Sequence, residues 1–388
     1  MAGLFWPPSA HLRGRAGRAR RGWVDQGLRP HQIGGLVFNA VLGVGVLTIA
    51  RGTTAAAGTA AWLSVLLAGG LAMAAAWLAG RTAALWPGFN PVVGAATLWG
   101  PWAGRLLGMA YSLYFLVLTS IALRLFGEFA AVFLLPRTPM AVTVAALAAV
   151  VAWAGRLRVA ALAGLSDVIA FIVLFTTLLF LLIAAYGATT ENLTLHLSRG
   201  WSGLVAGVGQ GLFSLLGFEV VLFLGAHAAY PPSLGRWTAA GVAGAVLFYA
   251  ASVLACLGHF SPTFIAQQTW PLLNVARAQR LPLRVVEQPE VLLAALWLWA
   301  VFSTAAIAYG AGLLALAQAT RWERRPLLAL LLIVPVWGLS LLPPNLQAVE
   351  GWSHALAGPG VLLAVGVPVL FLASHRLRQR RKDGGAVR

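Results

Sequence analysis

About ten apolar stretches of roughly 20 residues restrict the possible folds of this chain more than any other feature. A helix of about 20 residues spans the roughly 30 Å hydrocarbon core of a bilayer, and it pairs its own backbone polar groups there. Only 10% of the residues are charged, against about 25% in soluble domains. The sequence therefore predicts an all-α polytopic membrane protein with about ten transmembrane helices. The stretches cover residues 32–50, 57–79, 105–134, 139–154, 160–186, 203–225, 237–259, 289–318, 326–342 and 355–375.

The net charge of +17 suggests nucleic-acid binding at first, but the distribution of the charges argues against it. Twenty of the 27 lysines and arginines lie in the two terminal segments and in alternate loops, on one predicted side of the membrane. This bias follows the positive-inside rule and predicts that both termini are cytoplasmic. We interpret the excess charge as a topology signal that also attracts anionic lipids. The lipid bilayer is the expected partner, and nucleic acid is not.

The same distribution predicts the organisation of the chain. Residues 1–30 form a basic cytoplasmic N-terminal tail, residues 31–375 form the transmembrane domain, and residues 376–388 form a basic cytoplasmic C-terminal tail.

Two of the predicted helices are interrupted by glycines. The first interruption is Gly43-Val44-Gly45-Val46, and the second lies between Gly211 and Gly225, where it surrounds Glu219. A carboxylate near the bilayer centre costs about 2.5–3.5 kcal/mol on insertion scales, so Glu219 needs a partner or a task. Interrupted helices at corresponding positions of two halves are typical of a binding site between inverted repeats. We therefore expect an inverted five-plus-five repeat with broken helices 1 and 6.

Each interruption supplies candidate binding residues. An unwound turn after Gly43 would expose the backbone amides of Gly45, Val46 and Leu47 at a positive helix end, where a ligand carboxylate could sit. The alternative is a packing notch, because small residues let helices approach closely. In the second interruption, Phe218 and Glu219 would face the ligand, and Glu219 would receive an amine, a proton or a cation. The alternative for Glu219 is a hydrogen bond that braces a neighbouring helix.

Other polar residues in the apolar segments are candidates with open alternatives. Ser303 and Thr304 would line the pocket or a cation site, or return their hydroxyls to their own helix carbonyls. Arg124 and Glu128 share one helix face and would form an internal ion pair, or bias ion passage if they face a pore. Asp167 would cap a cytoplasmic helix start or carry a coupling ion.

No motif in the sequence supports catalysis or a cofactor. Cys256 is the only cysteine and Lys382 the only lysine, which leaves no intrachain disulfide, P-loop or lysine Schiff base. Nucleophile elbows, zinc motifs and kinase signatures are absent from the sequence. We therefore expect no enzyme activity, no metal and no cofactor.

Five local patterns follow each other along the chain: Gly43-Val-Gly-Val-Leu, Leu123-Arg-Leu-Phe-Gly-Glu-Phe with Phe133 to Pro139, Gly217-Phe-Glu-Val-Val-Leu-Phe, Trp270-Pro-Leu-Leu-Asn-Val-Ala-Arg and Ser340-Leu-Leu-Pro-Pro-Asn345. In this order and spacing they resemble the spore germination permease family. These are the GerAB-type B subunits of nutrient germinant receptors, within the amino acid–polyamine–organocation transporter superfamily. One departure is that Ala50 and Arg51 follow the first interruption, where the family has proline and glycine; Arg51 places a charge beside the outer vestibule.

The resemblance implies a ten-helix fold of the leucine-transporter type with a ligand pocket between helices 1, 3, 6 and 8. It implies a membrane subunit that binds a small nutrient such as an amino acid and triggers germination from the inner spore membrane. The implied partners are two sister subunits, a larger one with soluble domains and a lipoprotein. The alternative function is a proton-coupled amino acid permease.

Overall fold

The computed structural model describes residues 27–185, 187–191, 193, 194, 196, 197, 199–278 and 289–385. Within these ranges the chain is almost entirely helical, and all ten apolar stretches lie on helices. The helices are α1 (Pro30–Gly45), α2 (Ile49–Ala57), α3 (Ala61–Ala83), α4 (Pro91–Trp99), α5 (Pro101–Phe133), α6 (Met140–Gly155), α7 (Val159–Ala185), α8 (Gly200–Ser214), α9 (Val221–Leu224), α10 (Leu234–His259), α11 (Pro262–Gln267), α12 (Pro271–Ala278), α13 (Pro289–Thr320), α14 (Arg325–Leu341), α15 (Leu346–Val361) and α16 (Val367–Gly385).

Both predicted interruptions are present. The first transmembrane segment is divided into α1 and α2, and the sixth into α8 and the short helical turns that begin at Phe218. Seven helical runs of the described chain are long and apolar enough to cross a membrane, and α6 and α14 are shorter apolar helices. These seven runs are Ile49–Ala83, Pro101–Phe133, Val159–Ala185, Gly200–His227, Pro231–His259, Leu293–Thr320 and Leu346–Gln379.

Helix α13 occupies the centre of the bundle. It packs against α1, α5, α6 and α7, while α3 and α10 form a second closely packed pair beside α1. Small side chains such as Ala305 and Ala308 on α13 are buried and let neighbouring backbones approach closely. This arrangement places α1, α5, α8 and α13 around the middle of the molecule.

The two ends of the bundle differ, and we name them by their contents. The termini face carries the start of α1, where Leu28 pairs with Ala228, and α4, whose Thr97 and Leu98 carbonyls accept hydrogen bonds from Arg378. The loop face carries α11 and α12 and the segment around Thr189, whose backbone N–H donates to the Gly258 carbonyl.

The structure describes the two predicted tails only in part. Residues 1–26 of the predicted N-terminal tail lie outside the described residues, whereas Leu28 is buried. The last apolar segment begins at Leu346, contains a π-helical turn at Leu362–Gly366 and continues as helix to Gly385. Tyr111 stabilises that turn, because its hydroxyl donates to the Leu363 carbonyl at 2.7 Å. The predicted C-terminal tail therefore begins as a helical extension.

One side of α7 faces outward over its whole length. Phe171, Leu174, Leu178 and Leu182 follow each other at spacings of three or four residues and are largely exposed. An apolar stripe of this extent is typical of a helix that contacts lipid.

Candidate functional site

The break in the first transmembrane segment follows Gly43, where a side chain of α13 enters the helical hydrogen-bond ladder. The Gly43 N–H donates to Thr304 Oγ1 at 3.0 Å, and the Thr304 hydroxyl donates to the Asn39 carbonyl. The hydroxyl thus stands between the donor and the acceptor of an ordinary i to i−4 pair, which is a recognised cause of helix distortion. A Cβ on Gly43 would overlap Thr304 Oγ1, so this insertion requires glycine.

Other side chains satisfy the carbonyls near the break. Trp297 Nε1 donates to the Gly43 carbonyl at 3.0 Å. The Tyr249 hydroxyl of α10 lies 2.9 Å from the Val41 carbonyl and 3.0 Å from the Leu42 carbonyl. Helix α1 remains regular through Gly45, and the turn occupies Val46–Thr48. The turn therefore begins at Val46, the last residue of the predicted interruption, and extends two residues beyond it.

The break in the sixth segment is closed by its own carboxylate. Gly217 has a φ of +121°, a region that side chains rarely adopt, and Glu219 follows it in a 3₁₀ turn. Glu219 is fully buried. Its Oε2 accepts the Gly217 N–H at 2.9 Å, and its Oε1 accepts the Tyr114 hydroxyl of α5 at 2.6 Å. In the described structure Glu219 therefore braces the break and connects it to α5.

A small central cavity of about 20 Å³ lies between the two breaks. This volume accommodates one water molecule. Its walls come from the first, third, sixth and eighth transmembrane segments, where the family resemblance places a pocket, and from α15. The lining residues are Ala40, Val41, Tyr114, Leu118, Phe213, Ser214, Leu216, Thr304 and Leu356.

Most of the predicted binding residues surround this cavity without lining it. Of the eight, Thr304 lines it. Gly45 is the last residue of α1, and the Tyr249 hydroxyl and Ser214 lie beside it, so the exposure of the amides at the first break stays a prediction. The seven residues that do not line the cavity are Gly43, Gly45, Val46, Leu47, Phe218, Glu219 and Ser303.

A larger cavity of about 220 Å³, which we call the vestibule, opens toward the loop face. Phe213 and Ser214 line both the vestibule and the central cavity, so these two residues form the partition between them. Arg51 Nη1 and Glu350 Oε1 form an ion pair of 2.7 Å in the vestibule wall. The position of Arg51 agrees with the expectation that it lies beside the outer vestibule.

Arg124 and Glu128 form the internal ion pair that their spacing allows. Both Arg124 Nε and Nη2 donate to Glu128 Oε1, at 3.0 and 2.7 Å. Arg124 is buried, and Glu128 lines a separate cavity on the loop face.

Asp167 does not cap a helix start, which corrects one of its two interpretations. It lies two turns into α7, because this helix begins at Val159. Its Oδ2 is 3.8 Å from His31 Nε2, and about a third of the side chain is exposed. The neighbouring Ser166 accepts a hydrogen bond from Asn39 Nδ2 at 2.7 Å, so this part of α7 is joined to α1.

Sequence reasoning missed Asn39, Tyr249 and Trp297 as groups that hold the first break. Each is a polar or amphipathic residue inside an apolar stretch, and this is the signal that could have identified them. Tyr249 and Trp297 donate to backbone carbonyls of residues more than two hundred positions away in the sequence.

The chain is similar in sequence to spore germination proteins. A family model described as spore germination protein matches residues 27–346. The spore germination protein YndE of Bacillus subtilis (strain 168) is 26% identical over 351 residues, which cover 89% of this chain and 95% of the relative. Spore germination protein B2 of the same organism is 25% identical over 68% of this chain and 71% of the relative. Spore germination protein A2 of the same organism is 25% identical over 71% of this chain and 75% of the relative.

The fold is similar to that of a solved transporter. Mhp1, a nucleobase-cation-symport-1 family transporter in a closed conformation with bromovinylhydantoin bound, superposes with a TM-score of 0.61. The match covers 87% of this chain and 76% of Mhp1 at 13% identity, so it shows the fold alone. The predicted leucine-transporter-type fold with broken helices 1 and 6 is confirmed.

Proposed function

Because the chain belongs to the spore germination permease family, we propose that it binds a small nutrient, such as an amino acid, in the central cavity and thereby triggers germination. It would act as the membrane subunit of a nutrient germinant receptor. The family and the fold are those of permeases rather than of enzymes.

The observation that carries this proposal is the position of the central cavity between the two helix breaks. The cavity shares the Phe213–Ser214 partition with the vestibule, which supplies a route from the loop face. In this conformation the cavity has room for one water molecule, so a nutrient selects a conformation in which it is wider. A ligand shifts a conformational equilibrium by its differential affinity for the two states.

The polar groups along this route suit a zwitterion. Arg51 and Glu350 offer opposite charges in the vestibule, and the hydroxyls of Tyr114, Ser214 and Thr304 line the central cavity. Apolar side chains such as Leu118 and Leu356 provide the remaining walls. Such a mixture of apolar walls and a few polar groups is typical of small-molecule sites.

Tyr114 supplies a mechanism by which occupancy reaches the backbone. It lines the cavity and donates to Glu219, and Glu219 in turn holds the Gly217 N–H. A ligand that displaces the Tyr114 hydroxyl changes the support of the sixth segment at its break. This coupling would pass the binding signal to the rest of the bundle and to partner subunits.

The second candidate function is a proton-coupled amino acid permease. It is favoured by the transporter fold and by ionisable side chains inside the bundle. Glu219 beside the cavity and Asp167 toward the termini face would carry the proton, and the Arg124–Glu128 pair would bias ion passage on the loop face. In this function the chain would move its ligand across the membrane instead of only sensing it.

The setting follows from the same proposal. The termini face would be cytoplasmic, which assigns the loop face and the vestibule to the outer side of the inner spore membrane. The lipid bilayer would surround α7, and two sister subunits, a larger one with soluble domains and a lipoprotein, would receive the signal.

Reconstitution of the purified full chain tests these functions. L-amino acids, first as a mixture and then singly, should raise its melting temperature, and Ala40→Leu, which fills the central cavity, should abolish that shift. Ala149→Leu on the exposed side of α6 is the matched control and should keep it. Accumulation of a labelled amino acid in vesicles with a proton gradient would favour the permease. No shift with any amino acid would reject both functions.

A further inference from the structure

A further open cavity on the loop face is separate from the vestibule and the central cavity. It measures about 330 Å³ and lies between the end of α5, the residues that join α11 to α12, and α12 itself. We call it the outer cavity. The three cavities share no lining residue except the Phe213–Ser214 partition between the first two. The outer cavity is lined by Glu128, Val132, Phe133, Gln268, Thr269, Trp270, Leu273, Asn274, Arg277 and Leu346.

The apolar wall of the outer cavity is an aromatic cluster. The rings of Phe133 and Trp270 have centroids 5.2 Å apart, and both contact Phe129, at 4.8 and 5.5 Å. Phe129 also packs against Trp297 of α13. The wall is therefore anchored to the centre of the bundle and presents a preformed surface for a flat apolar group.

Helix α12 is equally well anchored. Its apolar residues Leu272, Leu273, Val275 and Ala276 are buried. They pack against α10 and α13, so its polar side is held over the outer cavity. Asn274 Nδ2 donates to Gln268 Oε1 at 2.8 Å, which fixes both amides and leaves the Gln268 amide nitrogen as a donor.

Arg277 adds a positive charge to the cavity in a defined orientation. Its guanidinium carbon lies 4.8 Å above the centre of the Phe133 ring. A guanidinium stacked on an aromatic ring directs its N–H groups outward in its own plane, where they can bind a carboxylate. Glu128 contributes the opposite charge, but its Oε1 is already bonded twice by Arg124.

From these contacts we infer that the outer cavity is a binding site for a small carboxylate that carries an aromatic or other flat apolar group. The carboxylate is held by Arg277 and the Gln268 amide. The apolar group lies against Trp270 and the edge of Phe133, because Phe129 and Arg277 cover the two faces of the Phe133 ring. An amino acid and a simple organic acid share this chemistry. The inference does not depend on a ligand in the central cavity.

Equilibrium dialysis of the purified full chain in lipid nanodiscs with labelled phenylacetate tests the inference. Phenylacetate should bind, and Arg277→Gln should weaken it about ten- to hundredfold, the worth of a charge-assisted hydrogen bond. Arg137→Gln is the matched control, because Arg137 is an exposed arginine on the same face that does not line the cavity; it should leave binding unchanged. Ala40→Leu should also leave it unchanged.

Further probes define the ligand chemistry. Phenethylamine, which lacks the carboxylate, should not compete, and acetate, which lacks the ring, should compete weakly. L-Phenylalanine should compete as well as phenylacetate if the amine is accommodated beside Glu128, and less well if the site takes simple acids. Gln268→Glu keeps an acceptor for Asn274 and replaces the donor by a carboxylate, so it should weaken phenylacetate binding even if Arg277→Gln proves unstable. Unchanged binding in both variants, equal competition by phenethylamine, or loss of binding in Ala40→Leu would overturn the inference.

Discussion

The two helix breaks are held in opposite ways. The first is held from outside, because Thr304, Trp297 and Tyr249 reach into α1 from α13 and α10. The second is held from within, because Glu219 returns its carboxylate to the Gly217 N–H two residues earlier. A single group from another helix, the Tyr114 hydroxyl, completes it.

This difference indicates which break responds to a ligand. Of the groups that hold the first break, Tyr249 and Trp297 do not line the central cavity, and Thr304 does. Tyr114, the external support of the second break, lines the cavity. The first break is therefore fixed mainly by hydrogen bonds between packed helices away from the cavity, whereas the second depends on a contact beside the ligand space. Three substitutions test this contrast.

Glu219→Leu should have the largest effect on stability. It removes the acceptor for two buried donors, the Gly217 N–H and the Tyr114 hydroxyl, and an unsatisfied buried group costs about 1–3 kcal/mol. Glu219→Gln is the matched control. Its oxygen accepts the Gly217 N–H, and its amide donates to the Tyr114 oxygen, so it should melt near the wild-type temperature in detergent. Equal losses in both variants would show that charge, rather than hydrogen bonding, holds the second break.

Gly43→Ala should have the next largest effect. It should lower the free energy of unfolding by about 1–3 kcal/mol, the usual range for an overpacked site. The added Cβ overlaps Thr304 Oγ1 and lies 2.7 Å from the Ala300 carbonyl, so α1 and α13 must separate. Thr304→Ala removes the hydroxyl that the added Cβ overlaps, so the loss from Gly43→Ala should be smaller in the double variant and the two losses in melting stability should not add. Gly209→Ala, at a glycine with open space around it, should be neutral. Additive losses would contradict the insertion of Thr304 at Gly43.

Tyr249→Phe should have the smallest effect, about 0.6–2 kcal/mol, the range for a side-chain hydrogen bond between membrane helices. It removes the hydroxyl from the Val41 and Leu42 carbonyls without changing the packed ring. Nutrient affinity should hardly change, because this residue supports the break that packing fixes. Tyr230→Phe, at an exposed tyrosine, serves as the control in the same melting and binding assays. A larger loss of affinity than of stability would reverse the assignment of the two breaks.

The fold could be predicted from the sequence because hydropathy and glycine placement are local signals. The apolar stretches and the glycines that mark both breaks can be recognised from neighbouring residues alone. The exact position of the first break could not be predicted, because it depends on Thr304, which meets Gly43 across 261 positions of sequence.

The cavity walls could be predicted only in part. Glu219 is conspicuous in an apolar segment, but nothing local shows that its partner is Tyr114, 105 residues away. Ala40, Val41 and Leu118 line the central cavity, yet they look like any other apolar residue of a transmembrane helix. Which face of a helix meets a cavity depends on how the helices pack, and that is a property of the assembled bundle.

The central claim is that a nutrient occupies the space between the two breaks, and cysteine labelling measures this directly. Cys256, the only native cysteine, is buried, so Ser214→Cys adds a single reporter in the partition between the vestibule and the central cavity. Thr48→Cys, which lines the vestibule but not the central cavity, is the control. A mixture of L-amino acids should slow thiol labelling at position 214 about tenfold or more and leave position 48 unchanged. Equal labelling rates at position 214 with and without the mixture, or equal slowing at both positions, would contradict the claim.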